Sequence, residues 1–173
     1  ERLVEARPKL IFNTAEGGAE LGGAREAYYP AIYEQMGLPY TGGSPSLLQV
    51  TLDKRLTERL LSLHGIRTPA GVLLTRRQPE VPDALPFPVI IKPNYEGTSK
   101  GIYQTSVVGT RDEAQELVDQ LLETYPEGVT AEQYIEGREI TVPFLEEFPG
   151  RFLEIVEHSF EQADGEYDIY DYD

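Results

Sequence analysis

The spacing of apolar residues predicts strands and helices in alternation along the first half of the chain. An apolar run at residues 9–13 predicts a short strand that ends at a glycine-rich loop. One helical face then carries Tyr28, Ala31, Ile32 and Met36, with Gly37 placed to end the helix and Pro30 predicting a kink or a late start. Residues 38–45 predict a strand stub and a turn, which is a candidate domain boundary. A further helix is predicted over residues 51–64, because leucines recur there at near-helical spacing.

The second half of the chain continues this alternation. Strands are predicted over residues 71–75, 87–92 and 102–108. Thr110-x-x-Glu113 is a capping box and predicts the start of a helix with an apolar face. Two more strands, at residues 129–135 and 139–145, are predicted to be joined by a turn at Glu136 and Gly137, and another is predicted over residues 152–157. Pro143 favours an edge or a bulge. The order of elements is typical of a mixed α/β (α+β) fold.

The amino-acid composition argues against several classes of binding partner and chemistry. The 173 residues carry a net charge of −15, which argues against a nucleic acid or an acidic membrane surface as partner, since both need clustered Lys and Arg. The chain has no cysteine, which excludes disulfides and thiolate chemistry, and its two histidines lie far apart in sequence. No apolar run approaches the length of a membrane span and no signal peptide is evident, so a cytoplasmic protein is expected.

Candidate chemistry begins at the strand predicted over residues 87–92. Val89 and Ile91 face one side of this strand, whereas Ile90 and Lys92 face the other. Lys92 could therefore reach a ligand oxygen or ring nitrogen from a mostly apolar surface. The alternative is a lysine whose ammonium simply extends to solvent.

A short loop at residues 96–101 follows this strand, with the sequence Glu-Gly-Thr-Ser-Lys-Gly. The backbone N–H groups of such a loop can form an anion-binding concavity, and its small residues let phosphate oxygens approach closely. A plain hairpin turn is the alternative. The loop matches neither a P-loop nor a Rossmann fingerprint.

Three further charged residues are candidates. Lys54 points away from the leucine stripe of its predicted helix, and the alternative is a solvated lysine beside Glu58. Glu132 and Glu139 bracket the predicted turn between two strands. A purine amino group needs an acceptor and a ribose diol suits a carboxylate, although charged residues also commonly decorate hairpins.

In their order and spacing, these segments resemble the D-alanine–D-alanine ligase family of the ATP-grasp superfamily. The resemblance rests on residues 12–17, 25–27, 37–42, 51–54, 65–69, 91–101 and 132–142, and it extends to about residue 157. It implies that 1–43 is a remnant of an N-terminal α/β domain and that 44–136 is the central ATP-grasp subdomain. Residues 137–173 would begin the C-terminal subdomain, with an acidic tail for which disorder is the alternative. The family pattern predicts a sequence that is incomplete at both ends.

The resemblance also implies roles for individual residues. Lys54 and Lys92 match two lysines that contact ATP phosphates, and Lys92 also lies near the adenine. Glu96, Gly97, Thr98 and Ser99 match the flexible loop over the phosphates, in which the family often has two serines. Glu132, with the backbones of Gln133 and Ile135, matches the adenine hinge, and Glu139 matches the ribose contact. Glu16, where many members carry a histidine, and Thr98 are candidates for substrate binding. No residue is assigned a catalytic role.

The implied reaction is an ATP-dependent joining of two D-alanines through an acyl phosphate, for peptidoglycan precursor synthesis. Mg²⁺ is expected as a cofactor, with its ligands outside this chain, because the family's closing Arg, Asp and Glu-x-Asn are absent. Such a chain would bind adenine nucleotide weakly at best and would not turn over alone, and a homodimer is one candidate assembly. The alternatives are an ATP-grasp ligase for a different acid or amine and a non-catalytic nucleotide-binding or scaffold fragment.

Overall fold

A four-stranded antiparallel sheet forms the centre of the molecule. The computed structural model describes residues 2–6, 8–146, 150, 153–158, 167 and 169. The sheet consists of β1 (Gly71–Leu74), β2 (Val89–Pro93), β3 (Val107–Val108) and β4 (Val129–Gln133), in the order β1-β4-β2-β3. Strands β1, β2 and β4 lie where the apolar pattern predicted them, and a short 3₁₀ turn at Gln104–Ser106 occupies much of the predicted strand at 102–108.

The hydrophobic core lies between one face of this sheet and helix α5 (Arg111–Thr124). Val89 and Ile91 of β2 are fully buried in it, whereas Ile90 and Lys92 are partly exposed on the opposite face, which confirms the predicted alternation. The helix contributes Ala114, Val118 and Leu122, which are spaced to share one face. Its capping box is also confirmed: Thr110 Oγ1 accepts from the Glu113 amide at 3.3 Å, and Glu113 Oε2 accepts from the Thr110 amide at 3.0 Å. The sheet face opposite α5 is therefore not covered by this core, and its side chains can contact a ligand.

The N-terminal part is helical. It comprises α1 (Arg2–Ala6), a 3₁₀ segment (Ala19–Ala24), α2 (Arg25–Gln35), α3 (Pro45–Leu52) and α4 (Lys54–Leu63). The strand predicted at 9–13 is reduced to a single parallel bridge between Ile11 and Tyr40. Helix α2 starts at Arg25 and passes through Pro30, so a late start is wrong and the alternative, a kink at Pro30, stays a prediction. No helix in the described ranges is long and apolar enough to cross a membrane.

The helix predicted over residues 51–64 is confirmed as α4, but it starts at Lys54, because Asp53 separates it from α3, which was not predicted. Asp53 has an extended backbone (ψ 97°), and its carboxylate accepts from the Leu56 amide at 3.0 Å as the N-cap of α4. The same carboxylate accepts from the Asn94 side chain at 2.8 Å. The break therefore anchors the start of α4 to the end of β2.

Within the described ranges, the second sheet consists of β5 (Glu139–Thr141) and β6 (Val156–His158), paired antiparallel. The predicted pairing of the strands at 129–135 and 139–145 is wrong, because β4 already has β1 on one side and β2 on the other. The strand predicted over 152–157 begins only at Val156. Most of the predicted acidic tail lies outside the described residues. Two of its residues are described: Tyr167, whose ring contacts Tyr134, and Ile169, which is buried.

Candidate functional site

The sheet face opposite α5 forms the floor of a cavity of about 450 Å³, here called the sheet cavity. Its volume is within the range of small-molecule sites. Ile90 and Lys92 reach it because they alternate with the buried core residues of β2. Among the residues that line it are most of those predicted to bind a nucleotide: Lys92, Ser99, Glu132, Gln133, Ile135 and Glu139. The structure thus brings together, from three segments, side chains that lie up to 47 positions apart in sequence.

Lys92 and Glu132 form an ion pair on this floor. Strand β4 runs antiparallel to β2 with Ile90 opposite Glu132, so Lys92 and Glu132 project from the same face. Lys92 Nζ lies 2.5 Å from Glu132 Oε1, and the Glu132 side chain is only 7% exposed. Glu132 Oε2 is buried and accepts no hydrogen bond from the described residues. The bottom of the cavity therefore carries the Lys92 ammonium and one carboxylate oxygen, Glu132 Oε2, that has no hydrogen-bond partner among the described residues.

A second carboxylate lies against Glu132 and was missed by sequence reasoning. Burial of Glu58, followed by the adjacent Glu132 carboxylate, raises the pKa of the Glu58 carboxyl to about 7. Two ionised carboxylates are acceptors only, so Glu58 can donate to Glu132 only when it is protonated. Arg55, which pairs with Glu58 and donates to the Gly71 carbonyl at 2.6 Å, offsets part of this charge.

Lys54 is directed toward the 96–101 loop and not toward Glu58. Its Nζ donates to the Glu96 carbonyl and lies 3.4 Å from the Asn94 carbonyl. Burial, and secondarily the charge of Lys92, lower the pKa of Lys54 to about 8. Asn94 fixes this arrangement, since its side chain accepts from Thr130 Oγ1 at 2.8 Å and donates to Asp53 at 2.8 Å. The two predicted lysines therefore lie near each other, and Lys54 does not form the predicted alternative contact with Glu58.

The 96–101 loop turns tightly and separates two cavities. Thr98 and Ser99 adopt positive φ values of 51° and 56°, which L residues seldom do. Ser99 lines the sheet cavity, whereas Glu96, Gly97 and Thr98 line a second cavity of about 320 Å³, here called the N-terminal cavity. The residues predicted to cover phosphates are thus divided between the two faces of one loop.

Glu16 and Thr98, the two residues predicted to bind substrate, both line the N-terminal cavity. Arg25 lies beside them, with Nε 3.1 Å from Glu16 and Nη2 2.9 Å from Glu96. Glu26 also lines this cavity, and burial raises the pKa of its carboxyl against the opposing effect of Arg25. The pairing of Arg25 with Glu96 joins positions 71 apart, and no local pattern in the sequence could have indicated it.

No metal centre is evident among the described residues, which contain no group of three or more His, Cys, Asp or Glu side chains placed to hold an ion. The carboxylates near the two cavities are mostly paired with cations of the chain, as Glu132 is with Lys92 and Glu96 with Arg25. These residues alone do not supply a magnesium site.

Comparison with known proteins gives a consistent result. The family model described as "D-ala D-ala ligase C-terminus" matches residues 69–173. A D-alanine–D-alanine ligase from Bordetella petrii is 40% identical over 114 residues, which cover 65% of this chain and 34% of that protein. The chain therefore spans about one third of the length of this relative.

Solved structures agree with the sequence comparison. The D-alanine–D-alanine ligase of Bacillus anthracis superposes with a TM-score of 0.71 at 26% identity, covering 98% of this chain and 55% of that one. Its complex with ATP gives a TM-score of 0.69, covering 92% and 52% of the two chains. The VanG D-Ala:D-Ser ligase of Enterococcus faecalis gives 0.63 at 25% identity, covering 86% and 41%.

Proposed function

Because the chain belongs to the D-alanine–D-alanine ligase family, we propose that it supplies the ATP-binding part of an ATP-dependent carboxylate–amine ligase. Its fold is the ATP-grasp fold of its structural neighbours. The observation that carries the proposal is the sheet cavity, in which Lys92, Glu132 and Glu139 line one space beside Ser99 of the 96–101 loop. The related enzyme of Bacillus anthracis has been solved with ATP.

Each part of a nucleotide has a chemically matched group in this cavity. The buried acceptor Glu132 Oε2 suits an adenine amino group, and the backbones of Gln133 and Ile135 suit the ring edge. Glu139 suits the ribose hydroxyls. Lys92 and Ser99 in the cavity suit the phosphates. Lys54, which lies beside the 96–101 loop and not in the cavity lining, would add to the neutralisation of their charge.

The reaction that we propose for the whole protein joins two D-alanines, for peptidoglycan precursor synthesis. ATP phosphorylates the carboxylate of the first, and the amine of the second then displaces phosphate. This chemistry needs positioning and charge neutralisation more than a protein nucleophile. Bound Mg²⁺ would supply further charge neutralisation on the phosphates. Residues 1–43, 44–136 and 137–173 would belong to the N-terminal domain, the central ATP-grasp subdomain and the C-terminal subdomain.

Nucleotide-induced stabilisation of this chain tests the ATP site. ATP at about ten times its Kd should stabilise the chain by about 1.4 kcal/mol, which raises Tm by about 3–6 °C. Lys92→Ala should abolish this increment, although its own baseline Tm also falls because Glu132 loses its cation. Lys9→Ala, an exposed lysine outside both cavities, is the matched control and should keep the increment.

An unchanged Tm on addition of ATP and magnesium to the wild-type chain would favour the scaffold alternative. A ligase for a different acid or amine is the second candidate, and Glu16 in the N-terminal cavity favours it because many family members have a histidine there. Stabilisation by D-alanine, D-serine or L-alanine in the presence of ADP separates these substrates. D-alanine should give the largest increment if the first assignment is correct.

A further inference from the structure

Arg25 is a buried arginine that the nucleotide site as described above does not use. It is the first residue of α2, and its side chain is only 8% exposed. A buried guanidinium is costly unless its donors are paired, so the partners of such a residue indicate what it holds in place. Arg25 has partners in two segments that are distant from each other in sequence.

The guanidinium joins the segment at residues 13–17 to the start of the 96–101 loop. Nε pairs with the Glu16 carboxylate at 3.1 Å, while Nη2 donates to the Glu96 carboxylate at 2.9 Å and to the Tyr95 carbonyl at 2.5 Å. The Arg25 carbonyl also accepts from the Gly17 amide at 2.8 Å, which fixes the first segment against the helix. Arg25 therefore contacts both carboxylates and one backbone carbonyl, while Glu96 Oε2 also pairs with Lys100 Nζ of the loop itself at 3.3 Å.

These contacts anchor one end of a strained loop. Glu96 is held from one side by Arg25 and from the other by Lys54, which donates to its carbonyl. Beyond Glu96, the backbone bonds of the loop are local: the Lys100 amide donates to the Gly97 carbonyl at 3.1 Å, and the Ile102 amide donates to the Ser99 carbonyl at 2.9 Å. The direction in which the Thr98–Ser99 turn points thus follows from how residues 95 and 96 are held.

We propose that Arg25 is a positioning residue for phosphate binding, which orients the 96–101 loop through Glu96 and the Tyr95 carbonyl without touching the nucleotide. This inference rests on the proposed function, because it assumes that the loop covers phosphates. Loss of the Arg25 contacts should therefore weaken the binding of phosphorylated nucleotides only. The binding of adenosine should stay unchanged, since adenosine needs only the floor of the sheet cavity and the predicted adenine-binding residues beside it.

Two substitutions separate positioning from the simple effect of charge. Arg25→Lys keeps the positive charge but has one nitrogen where arginine uses two, so it cannot reproduce all three contacts. Glu96→Gln removes a negative charge beside the loop. An electrostatic field effect alone would raise the affinity for phosphates in Glu96→Gln, whereas positioning predicts a loss, because Arg25 no longer has its buried carboxylate partner.

The experiment is calorimetric titration of the full chain with ADP and with adenosine, expressed as the dissociation constant of adenosine divided by that of ADP. The ratio should fall about tenfold in Arg25→Gln and in Glu96→Gln, and by a smaller factor in Arg25→Lys. Arg111→Gln is the matched control: it removes an arginine that pairs with Asp83, outside both cavities, and should leave the ratio unchanged. Circular dichroism verifies that each variant is folded, and Glu96→Gln carries the test if Arg25→Gln does not fold.

A wild-type ratio retained in Arg25→Lys and Glu96→Gln would overturn the inference while leaving the proposed ATP site intact. An increased affinity for ADP in Glu96→Gln would also overturn it, in favour of a field effect. Failure of the wild-type chain to bind either ligand would overturn the proposed function, and this inference with it.

Discussion

The substitution Glu58→Gln should change how the stability of this protein depends on pH. Burial and the neighbouring Glu132 raise the pKa of Glu58 from 4.5 to about 7, so the folded protein retains a proton that the unfolded chain loses at lower pH. Stability contributed by this proton is complete below pH 4.5 and is lost as the pH rises through about 7. Between these limits the free energy of unfolding should fall by about 1.4 kcal/mol per pH unit.

The total effect is large for a single side chain. Over the interval from 4.5 to about 7 it amounts to about 3 kcal/mol, and the Glu58 side chain is only 15% exposed, so solvent screens it weakly. Because Glu58 and Glu132 face each other, the proton belongs to the pair and not to one residue alone. Glutamine carries no titrating proton, and Glu58→Gln should therefore flatten this part of the profile.

Urea unfolding measured at half-unit steps from pH 4 to pH 8.5 tests this prediction. Glu116→Gln is the control, because Glu116 is exposed on α5 and its replacement should leave the profile as in the wild type. A wild-type slope retained in Glu58→Gln would show that the proton is held elsewhere, and the assignment of the raised pKa to this pair would be wrong.

Two further predictions concern the cavity and the core. The affinity for ADP should fall as the pH rises through about 8, because the pKa of Lys54 is lowered to about 8 and its neutral amine no longer attracts phosphate. Calorimetric titration with ADP at pH 6.5 and at pH 9.5 measures this change, and equal affinities at the two pH values would contradict the prediction. Val118→Ala should lower the free energy of unfolding by about 2 kcal/mol, because the side chain is fully buried between α5 and the sheet. Glu123→Ala, exposed on the same helix, should cost far less by the same denaturant assay, and equal losses would contradict the assigned core.

The parts of the fold that follow local rules were predictable from the sequence. The position of Lys92 on the cavity face follows from the period of two along β2, and the start of α5 follows from its capping box. Both features depend only on residues within a few positions of each other. The grouping of Lys92 with Glu132 was predictable only through the family resemblance, since it depends on the register of β2 and β4.

The features that the sequence concealed depend on distant contacts. The leucine spacing runs through Asp53 without a change, and the break there is stabilised by Asn94, which is 41 positions away. The hairpin predicted after β4 was wrong because β1 and β2 occupy both sides of that strand, which no local pattern records. The pairing of Arg25 with Glu96 and that of Glu58 with Glu132 were missed for the same reason.

The 96–101 loop forms part of the wall of both cavities, and this has a thermodynamic consequence. A ligand that displaces the loop from one side changes the shape of the space on the other side, so two ligands bound in the two cavities are not energetically independent. Any such coupling free energy is reciprocal: the factor by which a nucleotide changes the affinity of the N-terminal cavity for its ligand equals the factor by which that ligand changes nucleotide affinity. Titrating each ligand in the presence of the other would measure the same quantity twice.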